Sequence, residues 1–332
     1  MGEFGEYERA DYWAAEGWLP AWLKSVDPAY WPGMIRCIGE HWMTRPNWRE
    51  HIKTDAGRAA LRTQLITRMA QASDVFVPWL AQALRLKDLR ILEIGCGSGS
   101  STAGLAHAGA QVTAIDINAS SLLVARKRLS LLGYDACFVQ AEQTWLRQEA
   151  DIARFAGPYD LVVCYAIIEH LLVPERLNLL SLAKGIMQRD GAQLAVFETP
   201  NRFAPFDWHS SKAAFLDILP DGLAYEFART RSPRLDHPAR HAKHSHPTAE
   251  ETLYRFGRGV SWHEFELAFG LDNIEVVLDG YSPRSGNQNS YRPDAAYEAA
   301  LAAIFARLEP PVPRGFCRPS LELLIRCAPR KT

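Results

Sequence analysis

The chain has 332 residues, 48% of them apolar and 23% charged, with a formal net charge of −1. That length holds one large domain, or one domain with a substantial accessory part, and the composition is that of an ordinary soluble globular protein. The neutral balance gives no reason to expect nucleic acid or an anionic membrane as partner, and no apolar run reaches the roughly 18 residues a spanning helix needs.

Residues 1–88 contain no strand-like run. Their start, MGEFGEYERADYW, is acidic and aromatic, unlike a secretory signal. They are dense in aromatics, among them Tyr7, Tyr12, Trp13, Trp18, Trp22, Tyr30, Trp31, Trp42 and Trp48, and the apolar spacing over 59–86 is helical. The spacing predicts a helical extension whose rings, Tyr12 and Trp13 included, either line an acceptor pocket or glue the extension to the core. From Arg90 strand and helix alternate. Strands are predicted over 90–94, 111–115, 135–139, 159–164 and 192–198, with helices over 100–109, 119–132 and 174–188. Near-continuous apolar strands joined by helices imply a parallel sheet covered on both faces. Residues 199–258 are rich in Pro, His, Arg and aromatics, too long for a simple connection, and read as a functional loop or lid. A helix over 262–269, a strand over 273–278, an alanine-rich helix over 294–308 and a strand over 320–327 close the chain. The six cysteines (Cys37, Cys96, Cys137, Cys164, Cys317 and Cys327) form no C-x-x-C, so reduced thiols in a cytoplasmic protein are expected.

The most informative segment is RILEIGCGSG, residues 90–99. A strand carrying Glu93 runs into Gly95, Cys96, Gly97 and Gly99, and a helix follows. Glycines let the backbone approach a ligand, and the helix start supplies unsatisfied N–H groups. The spacing is G-x-G-x-G, not the G-x-G-x-x-G of dinucleotide folds, which turns the reading from a nicotinamide cofactor toward S-adenosylmethionine. The second strand ends at Asp116, followed by Ile117. An acidic residue there can accept both hydroxyls of a ribose; its other reading is a cap for the helix near Ala119. The third strand ends in Gln140, Ala141 and Glu142, where an adenine amino group could be accepted, or where Glu142 is a solvated turn residue.

Glu93-x-Gly95-x-Gly97-x-Gly99, Asp116 and the acidic turn at Glu142 together resemble a class I S-adenosylmethionine-dependent methyltransferase. Tyr159–Cys164 with Ile168-Glu169-His170, Gly191, and the Thr199-Pro200-Asn201-Arg202 turn resemble the subgroup that contains ubiquinone-biosynthesis O-methyltransferases. The likeness covers about 90–200. It implies an α/β, Rossmann-like, seven-stranded, mostly parallel sheet of order 3-2-1-4-5-7-6, with the last strand antiparallel and supplied by SLELLIRC. It divides the chain into a helical extension (1–88), a cofactor core (89–200), a lid insertion (201–260) and closing elements (261–332). It implies S-adenosylmethionine as cofactor, with Cys164 and Tyr165 past strand four facing the methionine arm, and a small-molecule acceptor, oxygen favoured over nitrogen or carbon.

Methyl transfer is an in-line displacement on an activated sulfonium, so the protein supplies alignment and, for an oxygen acceptor, a base; histidine titrates in the right range. Two groups qualify. Glu169 and His170 follow strand four; in metal-using relatives a Glu-x-x-Glu-His pattern resembles a magnesium site. Here Ala166 occupies the first Glu position and magnesium prefers oxygen ligands, so no metal is expected. Glu169 and His170 otherwise cap the next helix or hold the acceptor loop; Glu169 is also a candidate acceptor contact and His170 a candidate catalytic residue. The second group is Asp207 and His209 after strand five, read as orienter and base, or as loop packing. Asn201, Arg202, Arg229 and Arg231 are candidate acceptor contacts. Residues 229–258 also hold Arg234, Arg240, Lys243, Arg255 and Arg258, against Asp236, Glu250 and Glu251, with His237, His241, His244 and His246. Such a segment suits an anionic acceptor, or is a solvated loop. The alternatives are a catalytically silent S-adenosylmethionine-binding scaffold and an NAD-dependent dehydrogenase. A nucleic-acid methylator is disfavoured, because Cys164-Tyr165-Ala166-Ile167 stands where such enzymes carry an Asn-Pro-Pro-Tyr-like segment. No sequence feature specifies an oligomeric state.

Overall fold

The computed structural model describes residues 2–43, 45–146, 155–234, 237–240, 248–280 and 294–328. Asp236, His241, Lys243, His244 and His246 lie outside the described residues. Seven strands form the main sheet: β1 (Arg90–Ile94), β2 (Gln111–Asp116), β3 (Cys137–Gln140), β4 (Leu161–Tyr165), β5 (Gln193–Pro200), β6 (Ile274–Asp279) and β7 (Ser320–Cys327). Their order is β3-β2-β1-β4-β5-β7-β6. β1 pairs parallel with β2, β2 with β3, and β4 with β5, whereas β7 runs antiparallel to both β5 and β6. This is the Rossmann-like order the resemblance implied.

Strand ends differ from the pattern where a side chain or bulge intervenes. β4 starts at Leu161 because the Tyr159 N–H donates to the Asp190 carboxylate (2.9 Å) instead of to a ladder. β5 runs on to Pro200 through a register shift between Val196 and Thr199, where Glu198 has φ +54°. Tyr165, paired with Phe197 of β5, ends β4 rather than following it.

The chain divides into two compact units, one ending at Glu142 and one beginning at Gln143. In the first, the described residues before β1 are helical, including π-helical turns over Thr63–Thr67 and Ala72–Phe76. Trp13, Tyr30, Trp31, Leu61, Leu65 and Met69 pack with Ala103 of α1 (Ser100–His107) and Val124 and Leu129 of α2 (Ala119–Leu132). Rings of this size bury roughly 150–250 Å² each, so the extension is anchored by burial. Asn118 caps α2 by accepting from the Ser121 N–H (3.0 Å), and Gly133 ends it in the left-handed region.

In the second unit α3 (Val173–Asp190) precedes β5. The stretch predicted as an irregular lid is folded. A two-residue ribbon pairs Phe206–Asp207 with Ala213–Ala214, and α4 (Asp221–Arg231) and α5 (Ala249–Phe256) enclose Ala213, Leu216, Ala224, Ala228, Leu253 and Tyr254. The buried residues of α4 are Ala224 and Ala228, too small to leave an obvious apolar stripe in sequence. α6 (Trp262–Phe269) follows, and α7 (Ala295–Phe305) precedes β7. Among the described residues no helix is long and apolar enough to cross a membrane.

Candidate active site

In the first unit the glycine turn hangs from β2. The Gly95 and Cys96 N–H groups donate to the Ile115 carbonyl (2.8 and 3.0 Å). Gly97, at φ +53°, would place a Cβ in open space, so this position needs glycine for its backbone angle and leaves the concave side of the turn clear. Gly99, at φ +77°, would drive a Cβ to 2.7 Å from the Ala125 Cβ, so here glycine also permits the close approach of α2. The Asp116 carboxylate closes the turn: Oδ2 accepts from the Gly97 N–H and Oδ1 from the Asn118 N–H, both at 2.8 Å. Glu93 points the other way. It is buried, its oxygens accept from the Ser101 hydroxyl and the Thr102 hydroxyl (2.6 Å), and burial pushes its carboxyl above the usual range. Its direct role is to fix the first turn of α1. The Cys96 thiol is buried and pushed up by that burial, which leaves it unreactive. Ile117 is exposed beside Asp116, Gln140 and Glu142 are exposed at the end of β3, and the Ala141 N–H donates to the Asp116 carbonyl (3.0 Å).

In the second unit β4 turns at Ala166 (φ +50°) into a short 3-10 turn, Ile168–His170. Glu169 is wholly buried, and burial pushes its carboxyl up to about 8. Its Oε2 accepts from the Thr199 hydroxyl (3.4 Å), while Oε1 has no hydrogen-bond partner and lies 3.8 Å from His170 Nε2. His170 Nδ1 is 3.1 Å from the Arg255 carbonyl. The His209 ring centroid lies 5.3 Å from that of His170 and rests on Gly257, where a Cβ would sit 2.2 Å from His209 Cδ2. Glu169, His170 and His209 each offer a ligand atom within 4.8 Å of the others. Asp207 meets His209 through the backbone: its Oδ1 accepts from the His209 and Ser210 N–H groups (2.9 and 2.8 Å), its Oδ2 from the Ser211 N–H and the Ser210 hydroxyl. Although Asp207 is buried, the hydrogen bonds from Ser210 and Ser211 hold its carboxyl below the usual range. It shapes the turn that presents His209.

Residues 91–191 match the family described as a methyltransferase domain. Over those residues the chain is similar to methyltransferase domains. A ubiquinone biosynthesis O-methyltransferase from Erwinia tasmaniensis is 36% identical over 125 residues, covering 37% of this chain and 48% of that protein. Another, from Aromatoleum aromaticum, is 29% identical over 197 residues, covering 59% and 77%. The chain spans about half the length of most of the curated relatives it matches. Among solved structures, magnesium protoporphyrin IX methyltransferase from Synechocystis PCC 6803 is 18% identical over 75% of this chain and 92% of that one, at a TM-score of 0.43.

The remaining candidate positions are placed as follows. Cys164 and Tyr165 are buried within β4, with the Tyr165 ring stacked on Phe197 at 5.4 Å. Trp13 lies inside the apolar core with its N–H donated to the Tyr7 carbonyl (2.7 Å), and Tyr12 packs edge-on against it. The Asn201 side chain donates to the Phe316 and Arg318 carbonyls and accepts from the Phe203 N–H, so it is fully engaged in holding the chain. Arg202 lies 3.5 Å from Asp221, and Arg229 pairs with Glu226. Arg231 is exposed at the end of α4. Among the described residues of 229–258, three arginines are engaged internally. Arg234 donates to the His209 carbonyl (2.7 Å), Arg255 forks onto Glu175 (2.6 and 2.7 Å), and Arg258 holds Asp217 and Asp221.

Two buried arginines carry the site and were invisible in sequence. Arg128 of α2 donates to the Ser98 carbonyl of the glycine turn (2.9 Å), the Gln64 carbonyl (3.0 Å) and the Tyr30 hydroxyl (3.2 Å). Arg176 of α3 donates to the carbonyls of Leu171, Gly259, Glu169 and Arg258 and to the Glu264 carboxylate. In sequence, an arginine on a helix reads as a solvated face.

Proposed function

We propose that the chain transfers the methyl group of S-adenosylmethionine to an oxygen of a small-molecule acceptor. The observation that carries the donor half is the Asp116 carboxylate, held at the end of β2 by the Gly97 and Asn118 N–H groups. A carboxylate has about four lone-pair sites, so each oxygen retains capacity for one ribose hydroxyl. The clear side of the turn at Gly97 suits the methionine arm, and exposed Ile117 suits an adenine face. Oxygen is favoured because the curated relatives quoted above are O-methyltransferases.

In the reaction the acceptor O–H loses its proton, the oxygen lone pair attacks the methyl carbon, the C–S bond breaks, and S-adenosylhomocysteine leaves as a neutral thioether. Activation of the acceptor oxygen is assigned to the Glu169–His170–His209 group, since those side chains combine proton-accepting nitrogen with a buried carboxylate. An anionic acceptor finds less support than the arginine count suggested, as Arg234, Arg255 and Arg258 are engaged internally. The test is incubation of metabolite pools with isotopically labelled S-adenosylmethionine and mass spectrometry of what gains a methyl group. Labelled product supports the proposal. Tight S-adenosylhomocysteine binding with no methylated product would make the chain a silent scaffold, and NAD binding in its place would make it a dehydrogenase.

A further inference from the structure

The second unit holds a cavity of about 520 Å³ at the end of the sheet where β5 and β6 begin and β7 ends. It is lined by Lys184, Met187 and Gln188 of α3, Phe269 ending α6, Asn273 and Cys327. Local bonding places these residues. Ile274 pairs with Cys327 across β6 and β7, the Ala328 N–H donates to the Asn273 carbonyl (2.8 Å), and the Asn273 side chain donates to the Phe269 carbonyl (3.0 Å). These bonds fix one wall, and α3 supplies the other. Glu169 and Thr199 stand at the opposite end of β4 and β5, so the cavity is separate from the Glu169–His170–His209 group. Lys184 lies eight residues along α3 from Arg176, about 12 Å at the helical rise.

Lys184 sets the charge of this cavity. Its ammonium donates to the Ala268 carbonyl in the last turn of α6 (3.0 Å), which uses one of its three donors. Among the described residues no carboxylate pairs with it, and no acid lines the cavity. The charge is felt at Cys327, whose thiol burial pushes up and the Lys184 ammonium draws part of the way back. Met187 and Phe269, each 2% exposed, form an apolar floor. One cation over an apolar floor is complementary to an anion that carries an apolar body. The charge of that anion is limited to one. An ammonium lacks the fork that suits a phosphate, and the carbonyl end of α6, the negative pole of its dipole, borders the cavity and opposes a dianion. The geometry points to a second ligand site, for a small monocarboxylate with an aryl or alkyl body: Lys184 receives the carboxylate, and Met187 and Phe269 receive the body. The volume is in the ordinary range for such ligands.

The probes are 4-phenylbutyrate and its neutral counterpart 4-phenylbutanamide, each titrated into the full chain by calorimetry. The expected result is one saturable site for the acid, with the amide at least about tenfold weaker, the low end for a hydrogen bond to a charged group. Lys184→Gln keeps a donor for the Ala268 carbonyl and loses the charge, so it should bring the acid to within about twofold of the amide. Lys127→Gln, at an exposed position on α2, should leave the tenfold difference intact. Location is read by iodoacetamide labelling at about pH 9, above the ordinary thiol value, with peptide mass spectrometry. The acid should slow labelling of Cys327 and not of the exposed Cys137. Circular dichroism reports the folding of each variant; if Lys184→Gln does not fold, the acid–amide ratio and Cys327 protection in the parent chain decide. Equal binding of acid and amide, no saturable binding, an unchanged ratio in folded Lys184→Gln, or an unprotected Cys327 would each overturn the site. So would displacement of the acid by comparable inorganic phosphate, or competition by S-adenosylmethionine, which would put the probe elsewhere. None of these readouts requires methyl transfer, so the site and the proposed function stand or fall separately.

Discussion

Asp116 shows how much one side chain decides. It accepts from Gly97 in the turn and from Asn118 at the start of α2, so replacing it loosens the turn and removes the proposed ribose contact together. Asp116→Ala is expected to weaken S-adenosylmethionine binding about 10–100-fold, the range for charged hydrogen bonds, measured by calorimetry; an unchanged Kd would take Asp116 out of the site. Asp217 governs pH behaviour. Its own burial, then the Asp207 charge, push its carboxyl up to about 7, outweighing Arg258 at 3.3 Å and the Gly259 N–H at 3.1 Å, against 3.8 for an ordinary aspartate. The folded state therefore holds this proton more tightly than the unfolded chain. Its contribution to stability is full below about pH 4 and is lost as pH rises through about 7. Asp217→Asn fixes the neutral form and should flatten that decline in urea titrations at stepped pH; a slope as steep as the parent's assigns the decline to other groups. Asp116 was legible because an acidic residue 17 positions after Gly99 has a recognisable use. Asp217 was not, since nothing in the sequence says that an aspartate before Pro220 is buried.

At the scale of elements, α2 joins two functions. Its boundaries follow the sequence reading, whereas the cap is Asn118 rather than Asp116, and Gly133 ends the helix. Arg128 was not legible, although it ties the turn at Ser98 to Gln64 and Tyr30 of the N-terminal helices. Arg128→Met removes the donor shared by the Ser98 and Gln64 carbonyls and the Tyr30 hydroxyl. The expected cost is about 3 kcal/mol in urea denaturation, with weakened S-adenosylhomocysteine binding, and a loss below about 0.5 kcal/mol would show that the arginine only fills space. The parallel strands were legible from their apolar runs, whereas α4 and α5 were not, because alanines at the α4 core positions and a Pro- and His-rich setting mask the helical period. The place of β7 between β5 and β6 came from the resemblance alone. An apolar run shows that a strand is buried and not which neighbours it takes.

In the whole molecule the glycine turn with Asp116 belongs to one compact unit, and the Glu169–His170–His209 group to the other. Within the second unit Arg176 is the central fastener. Its guanidinium reaches the carbonyls of Glu169 and Leu171, of Arg258 and Gly259, and the side chain of Glu264, while the Arg258 N–H donates to the Glu169 carbonyl (2.9 Å). The 169–171 turn, the 257–259 segment and α6 then cannot open one at a time, since each shares the same planar group. They form one cooperative unit of local unfolding. Amide hydrogen exchange should reveal it. The Arg258 amide, in a segment with no helix or strand of its own, is expected to exchange as slowly as the amides of β5. Arg176→Lys, which cannot serve those acceptors with one ammonium, should speed its exchange while leaving β5 protected. A loop that exchanges on the timescale of a core strand would hold the neighbouring His170 in place whether or not a ligand is bound.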